Sequence, residues 1–152
     1  MRSEEKQNDT EQVSWLHRHG LGLASLSLLL VWIVLYIPAN PATHSGGFFG
    51  NAIADWTGTV MTVFGTKYLY EIGSRESKKP RGHPHKRWVR FLYNHSLTLF
   101  LTITGLGWLA LYLHMDSNSK WGQVVGNLLS EWTQVLGLVI LTKRLMEKGS
   151  KE

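Results

Sequence analysis

Two carboxylates interrupt long uncharged stretches of this chain: Asp55 in GNAIADWTGTV and Glu131 in GNLLSEWTQVL, each followed directly by tryptophan. A carboxylate in an apolar segment can bind a proton or a cation. At mid-bilayer it costs ~2.5–3.5 kcal/mol, so its presence marks a functional pair. Asn51, Asp55, Thr59, Thr62 and Thr66 recur at the three- and four-residue spacing of one helix face. The second segment keeps that face in part, as Asn127, Glu131 and Thr142, with Val135 and Leu138 between them. Such a face serves a polar pathway or hydrogen bonds between helices. A plainer role exists for an acid near a helix start, where it meets the positive end of the helix dipole beside an interfacial tryptophan. With the helix beginning near Gly50, Asp55 lies ~8 Å inside its outer end, which fits the plainer role.

Other chemistry is sparse. His19 and His95 occupy matched positions and form the one histidine pair that could hold a haem between two helices. His83 and His85 lack a neighbouring acid or thiolate that would complete a metal site. There is no cysteine, which removes disulfides, thiolate metal sites and cysteine nucleophiles. Glycine-rich nucleotide loops, Gly-x-Ser-x-Gly and His-Glu-x-x-His are likewise missing from the sequence. The residues therefore predict a protein that is not an enzyme and that holds no cofactor. Small residues recur at every fourth position as Gly46, Gly50, Ala54 and Gly58, and again as Gly122, Gly126 and Ser130. Such lines let helix backbones approach closely in lipid, and Gly46 and Gly122, the first of each, are placed in loops.

These features belong to a repeat. Laid over itself with a shift of 76 residues, segment 13–76 matches 89–152 without a gap, with 22 identities in 64 positions. Composition alone would give about one in ten. Tryptophan, asparagine, glycine and lysine all match at the one offset, as in Trp56/Trp132, Asn51/Asn127, Gly50/Gly126 and Lys67/Lys143, which argues for tandem duplication. Each copy carries two apolar runs, giving spans at about 16–37, 50–70, 94–113 and 123–142. Of the 16 Lys and Arg residues, 15 fall at the termini or between the second and third spans, and Lys120 alone falls on the other side. That split places both termini in the cytoplasm.

The predicted architecture is all-α: four transmembrane helices arranged as two tandem, like-oriented hairpins about a pseudo-two-fold along the membrane normal. A polar tail at 1–12, read as disordered, precedes the first repeat at 13–76. A basic cytoplasmic linker at 77–88 separates it from the second at 89–152. The linker cations suit anionic lipid better than nucleic acid, and the remaining expected partners are the bilayer, a second copy or another membrane protein. Trp32, Trp56, Trp108 and Trp132 read as an aromatic belt.

The stretch GNAIADWTGTVMTVFGTKYLYEIGSRESK (50–78) and the segment FLYNHSLTL (91–99) resemble a family of uncharacterised bacterial four-helix membrane proteins built from two tandem repeats. The resemblance implies an inner-membrane protein and brings no substrate, cofactor or catalytic residue. The leading expectation is a structural or accessory role. The alternative is a small ion or proton conductor using Asp55 and Glu131 as a dimer.

Overall fold

A computed structural model describes residues 2–74, 77, 86–143 and 145. Five helices follow in order: α1 (Arg2–Tyr36), α2 (His44–Tyr68), α3 (Arg87–Asn94), α4 (Ser96–His114) and α5 (Lys120–Leu141), with no strand among the described residues. Among the described residues three stretches are long and apolar enough to cross a membrane: His19–Tyr36 within α1, α4, and α5. At 25 residues α2 is longer than α4, but Asn51, Asp55, Lys67 and four threonines make it more polar.

Several boundaries differ from those the sequence predicts. The stretch at 2–12, expected to be disordered, continues α1. No glycine or proline interrupts residues 2–19, so nothing in the sequence breaks a helix there. The third apolar run is preceded by a separate short helix, α3, and the chain leaves the helical path at His95 (φ −120°, ψ 17°) between α3 and α4. The predicted linker lies outside the described residues except for Ser77, Lys86, Arg87 and Trp88.

Helices α2 and α5 start earlier than expected because each has a side-chain cap. Thr43 Oγ1 accepts from Gly46 N at 3.1 Å, and Ser119 Oγ accepts from Gly122 N at 3.0 Å. Each hydroxyl thus satisfies one of the orphan donors of a first helical turn. Gly46 and Gly122 are therefore helical, not loop residues. A Cβ on Gly46 would fall on the carbonyl oxygen of Asn40, and one on Gly122 on that of Asp116. The next glycines lie one turn further on. Gly50 receives the ring of Tyr36, 3.2 Å from where its Cβ would be, and Gly126 receives Tyr112 at 3.1 Å. Each pair of contacts is 76 positions apart. The small-residue lines thus close α1 on α2 and α4 on α5.

Packing runs in the order α1, α2, α5, α4, with α2 and α5 in the middle. One buried cluster gathers Tyr36, Ile53, Ala54, Val124 and Leu128, and a second gathers Leu97, Leu101, Trp132 and Val139. Trp132 belongs to the core and not to a belt: it is buried, donates from Nε1 to Thr104 Oγ1 at 2.8 Å, and meets Trp108 edge-on. The outer helices stay bare, with Leu21 of α1 70% exposed and Leu113 of α4 71% exposed. Lys120 caps the end of α1, its ammonium donating to the carbonyls of Ile37 (2.8 Å) and Ala39 (2.7 Å), while the hydroxyl of Tyr36 donates to Lys120 O at 2.7 Å. The one cation on the predicted outer side is spent on a helix C-terminus, where the dipole favours it.

Substituting Gly46→Ala or Gly122→Ala forces backbone apart and should destabilise the detergent-solubilised protein by about 1–3 kcal/mol. Gly137→Ala, whose added methyl meets nothing within 4 Å, should be neutral or stabilising by up to ~1 kcal/mol through helix propensity. Thermal unfolding of the three variants checks this contrast.

Candidate functional site

The helix starts change the meaning of the two acids. Counted from His44 and Lys120, Asp55 and Glu131 each lie roughly 16 Å along helices of about 37 and 33 Å. Neither is in a first turn. The structure therefore corrects the expected depth of Asp55: both carboxylates sit near the middle of their helices.

The two acids have different surroundings. Asp55 is exposed, and no hydrogen bond or ion pair reaches its carboxylate among the described residues. Glu131 is half-buried at the α2–α5 seam, with Oε2 3.3 Å from where a Cβ on Gly58 would be, while its Oε1 accepts from Gln134 Nε2 at 3.3 Å. Gly58 thus makes room for a carboxylate against the backbone of α2. Ala54 is fully buried in the same seam, and Ser130 is exposed.

The predicted polar face divides. Asn127 Nδ2 donates to Asn51 Oδ1, a hydrogen bond that joins α5 to α2. The threonines turn inward on their own helix: Thr59 donates to Asp55 O at 3.0 Å and Thr66 to Thr62 O at 2.6 Å. Such bonds to the i−4 carbonyl satisfy the hydroxyl without crossing to a neighbour. Below the acids the seam holds a cavity of about 40 Å³, lined by Thr62 and Thr66 but otherwise by Met61, Leu97, Val135, Leu138 and Val139. Thr142 ends α5 and is hydrogen-bonded to Leu138 O and to Ser74. No continuous file of unspent polar groups follows from these bonds.

The most developed polar cluster lies elsewhere, on Glu71, just past the end of α2. Its side chain is fully buried. Oε1 accepts from Lys143 Nζ and from His95 Nδ1 (2.7 Å), and Oε2 accepts from the backbone N–H of Thr98 at 3.2 Å. Leu97 N donates to Tyr70 O at 3.1 Å, and Ile72 N donates to Asn94 O at 2.8 Å. His95 gives α4 no side-chain cap, so segment 70–72 caps α4 from outside. The charges also suit the dipoles, with an anion at the start of α4 and a cation just past α5. Burial pushes the Glu71 carboxyl up. The hydrogen bonds from Lys143, Thr98 and His95, with the Lys143 charge, outweigh it and hold the carboxyl below the ordinary range.

His95 is engaged by Glu71, and His19 Nδ1 lies 2.9 Å from Lys67 Nζ. Among the described residues no group of three or more His, Cys, Asp or Glu could hold a metal ion.

The Glu71 cluster was not anticipated as a site. Its signal was present: Glu71, His95 and Lys143 each have an identical counterpart 76 positions away, at 147, 19 and 67. No family model, curated protein or solved structure matches the chain.

Because the native carboxyl of Glu71 is held down, its contribution to stability is complete above the ordinary carboxylate pKa of about 4.3. It is lost as pH falls through the lower native value. Glu71→Ala should cost on the order of 3 kcal/mol at neutral pH, since it leaves Lys143 without its anion. Glu71→Gln should also flatten the acid limb. Thermal unfolding of wild type and both variants between pH 7 and pH 3 reads both effects.

Proposed function

We propose that this chain is a small integral membrane protein without catalytic activity, acting by association inside the bilayer with a second copy or another membrane protein. In this reading α1, α2, α4 and α5 all cross the membrane, as two like-oriented hairpins with cytoplasmic termini in the inner membrane. The more polar α2 is tolerated because it packs between α1 and α5. The recurrence of capped helix starts and tyrosine-on-glycine contacts 76 positions apart supports the duplicated layout.

The observation that carries the functional reading is the Asp55 carboxylate, exposed at mid-helix and without a partner among the described residues. A lone anion facing lipid is costly, and a neighbouring helix that donates hydrogen bonds removes that cost. The glycine lines do not serve this contact, since they are occupied within the chain by Tyr36 and Tyr112.

Gentle solubilisation followed by native mass measurement should show a species larger than the 17.3 kDa chain. Asp55→Leu should reduce it at least several-fold, while Asp55→Asn, which keeps hydrogen bonding, retains more of it. A lone chain in every detergent, unaffected by Asp55→Leu, contradicts the proposal.

The mid-helix depth of Asp55 and Glu131 also supports a second reading, in which a dimer conducts protons or a small cation across that contact. It requires liposome flux that the Asp55→Asn, Glu131→Gln double variant abolishes. Flux absent or unchanged in that variant eliminates it.

A further inference from the structure

We infer that α3 is an interfacial helix lying on the anionic inner surface of the bilayer. The inference rests on the membrane reading above and concerns a surface that reading leaves unused. At 100° per residue, Trp88, Val89, Leu92 and Tyr93 share one face of α3, while Arg87, Arg90 and Asn94 share the other, with Phe91 beside Arg87 at that face's edge and its ring tilted against His95. No residue of α3 is buried. Trp88 is 81% exposed and Leu92 56%. In water such a face is a liability, and in the headgroup region it is the pattern of a helix lying in the plane.

Three features select lipid over a protein partner. First, the helix that α3 packs against is its own successor, α4, which carries exposed apolar side chains such as Phe100 and Ile103. Both helices thus present apolar side chains suited to hydrocarbon. Second, the apolar face is led by tryptophan and tyrosine, the residues enriched at the membrane–water boundary, while the flanking sequence from Lys78 to Arg90 is strongly basic and complements an anionic surface. Third, an in-plane helix needs a break from the spanning helix. His95 supplies it, and the buried Glu71 carboxylate holds the break by bonding His95 Nδ1 and Thr98 N on its far side.

The chain has no cysteine, so single cysteines carry nitroxide labels without background. Labels at Trp88→Cys, Leu92→Cys, Arg87→Cys and Ile103→Cys are read in nanodiscs of mixed phosphatidylcholine and phosphatidylglycerol. Accessibility to oxygen is compared with accessibility to a water-soluble nickel complex. All four side chains are exposed, so unchanged circular dichroism is expected. Labels at 88 and 92 should favour oxygen several-fold over nickel, the label at 87 should favour nickel, and the label at 103 should report the deepest position.

If 88 and 92 match 87 in water while 103 stays deep, the α3 inference fails and the membrane reading survives. If 103 is also in water, the membrane reading itself fails. If 88 and 92 are shielded from both reagents, protein covers the face and the lipid assignment is wrong. A second measurement tests the charge: the preference for retained phosphatidylglycerol over phosphatidylcholine should fall about five-fold for each charge removed by Lys86→Gln and Arg87→Gln, the equivalent of ~1 kcal/mol. An unchanged preference removes the anionic part of the inference.

Discussion

A single buried carboxylate fixes the ends of three helices relative to one another. Glu71 leaves α2, receives the first turn of α4 on one oxygen, and binds the lysine that follows α5 on the other. An ion taken out of water is tolerated only when its lone pairs are filled and its counter-charge is close, and here donors reach both oxygens. Both helix dipoles act in the same sense, so the ends of α4 and α5 gain from the anion and cation already needed by each other. The α2–α4 connection therefore has one satisfied geometry. The seam between α2 and α5, with Glu131 half-way along it, inherits its register from that end and from the glycine contacts at the other.

At the opposite end the constraint is steric instead of electrostatic. Carbonyl oxygens of Asn40 and Asp116 occupy the space where side chains at 46 and 122 would begin, so each tight connection is locked against the first turn of the helix it introduces. A turn later, tyrosine rings fill the glycine gaps at 50 and 126. Where apolar burial gives helices little reason to associate, shape contacts of this kind and hydrogen bonds such as Asn51–Asn127 supply the attraction. The polar end holds orientation, and the close-packed end holds distance.

Part of this was legible before the structure. Of the four apolar runs the sequence predicts as spans, three prove long and apolar enough to cross a membrane among the described residues, the run on α2 being more polar, and the glycine spacing gave the close approaches. What was misjudged follows from local chemistry read too coarsely. Thr43 and Ser119 stand three residues before Gly46 and Gly122, a cap signal that moves α2 and α5 outward and places Asp55 at mid-helix. Hydropathy alone put those glycines in loops. The sequence offers His95 only as half of a histidine pair and Lys143 only as the repeat of Lys67, because neither has a local partner. Their link to Glu71 is a contact between residues 24 and 72 positions apart, and no local pattern expresses it. Arg87 and Trp88 read as linker because a helix of eight residues is too short to announce itself by hydropathy.

The two mid-helix acids show how matched positions come to differ. Glu131 faces position 58, a glycine, and its longer side chain lies over the exposed backbone there. The counterpart of Gly58 is position 134, a glutamine, which has no gap to offer. Gln134 instead bonds Glu131, adding a donor to the acid that already has a niche. Asp55 is one methylene shorter, has no niche opposite, and turns outward. Glycine against glutamine at 58 and 134, with aspartate against glutamate at 55 and 131, accompanies one carboxylate in the seam and one at the surface. A bundle whose halves stayed identical would offer both acids to its surroundings or neither, whereas here the exposed carboxylate is on one half alone.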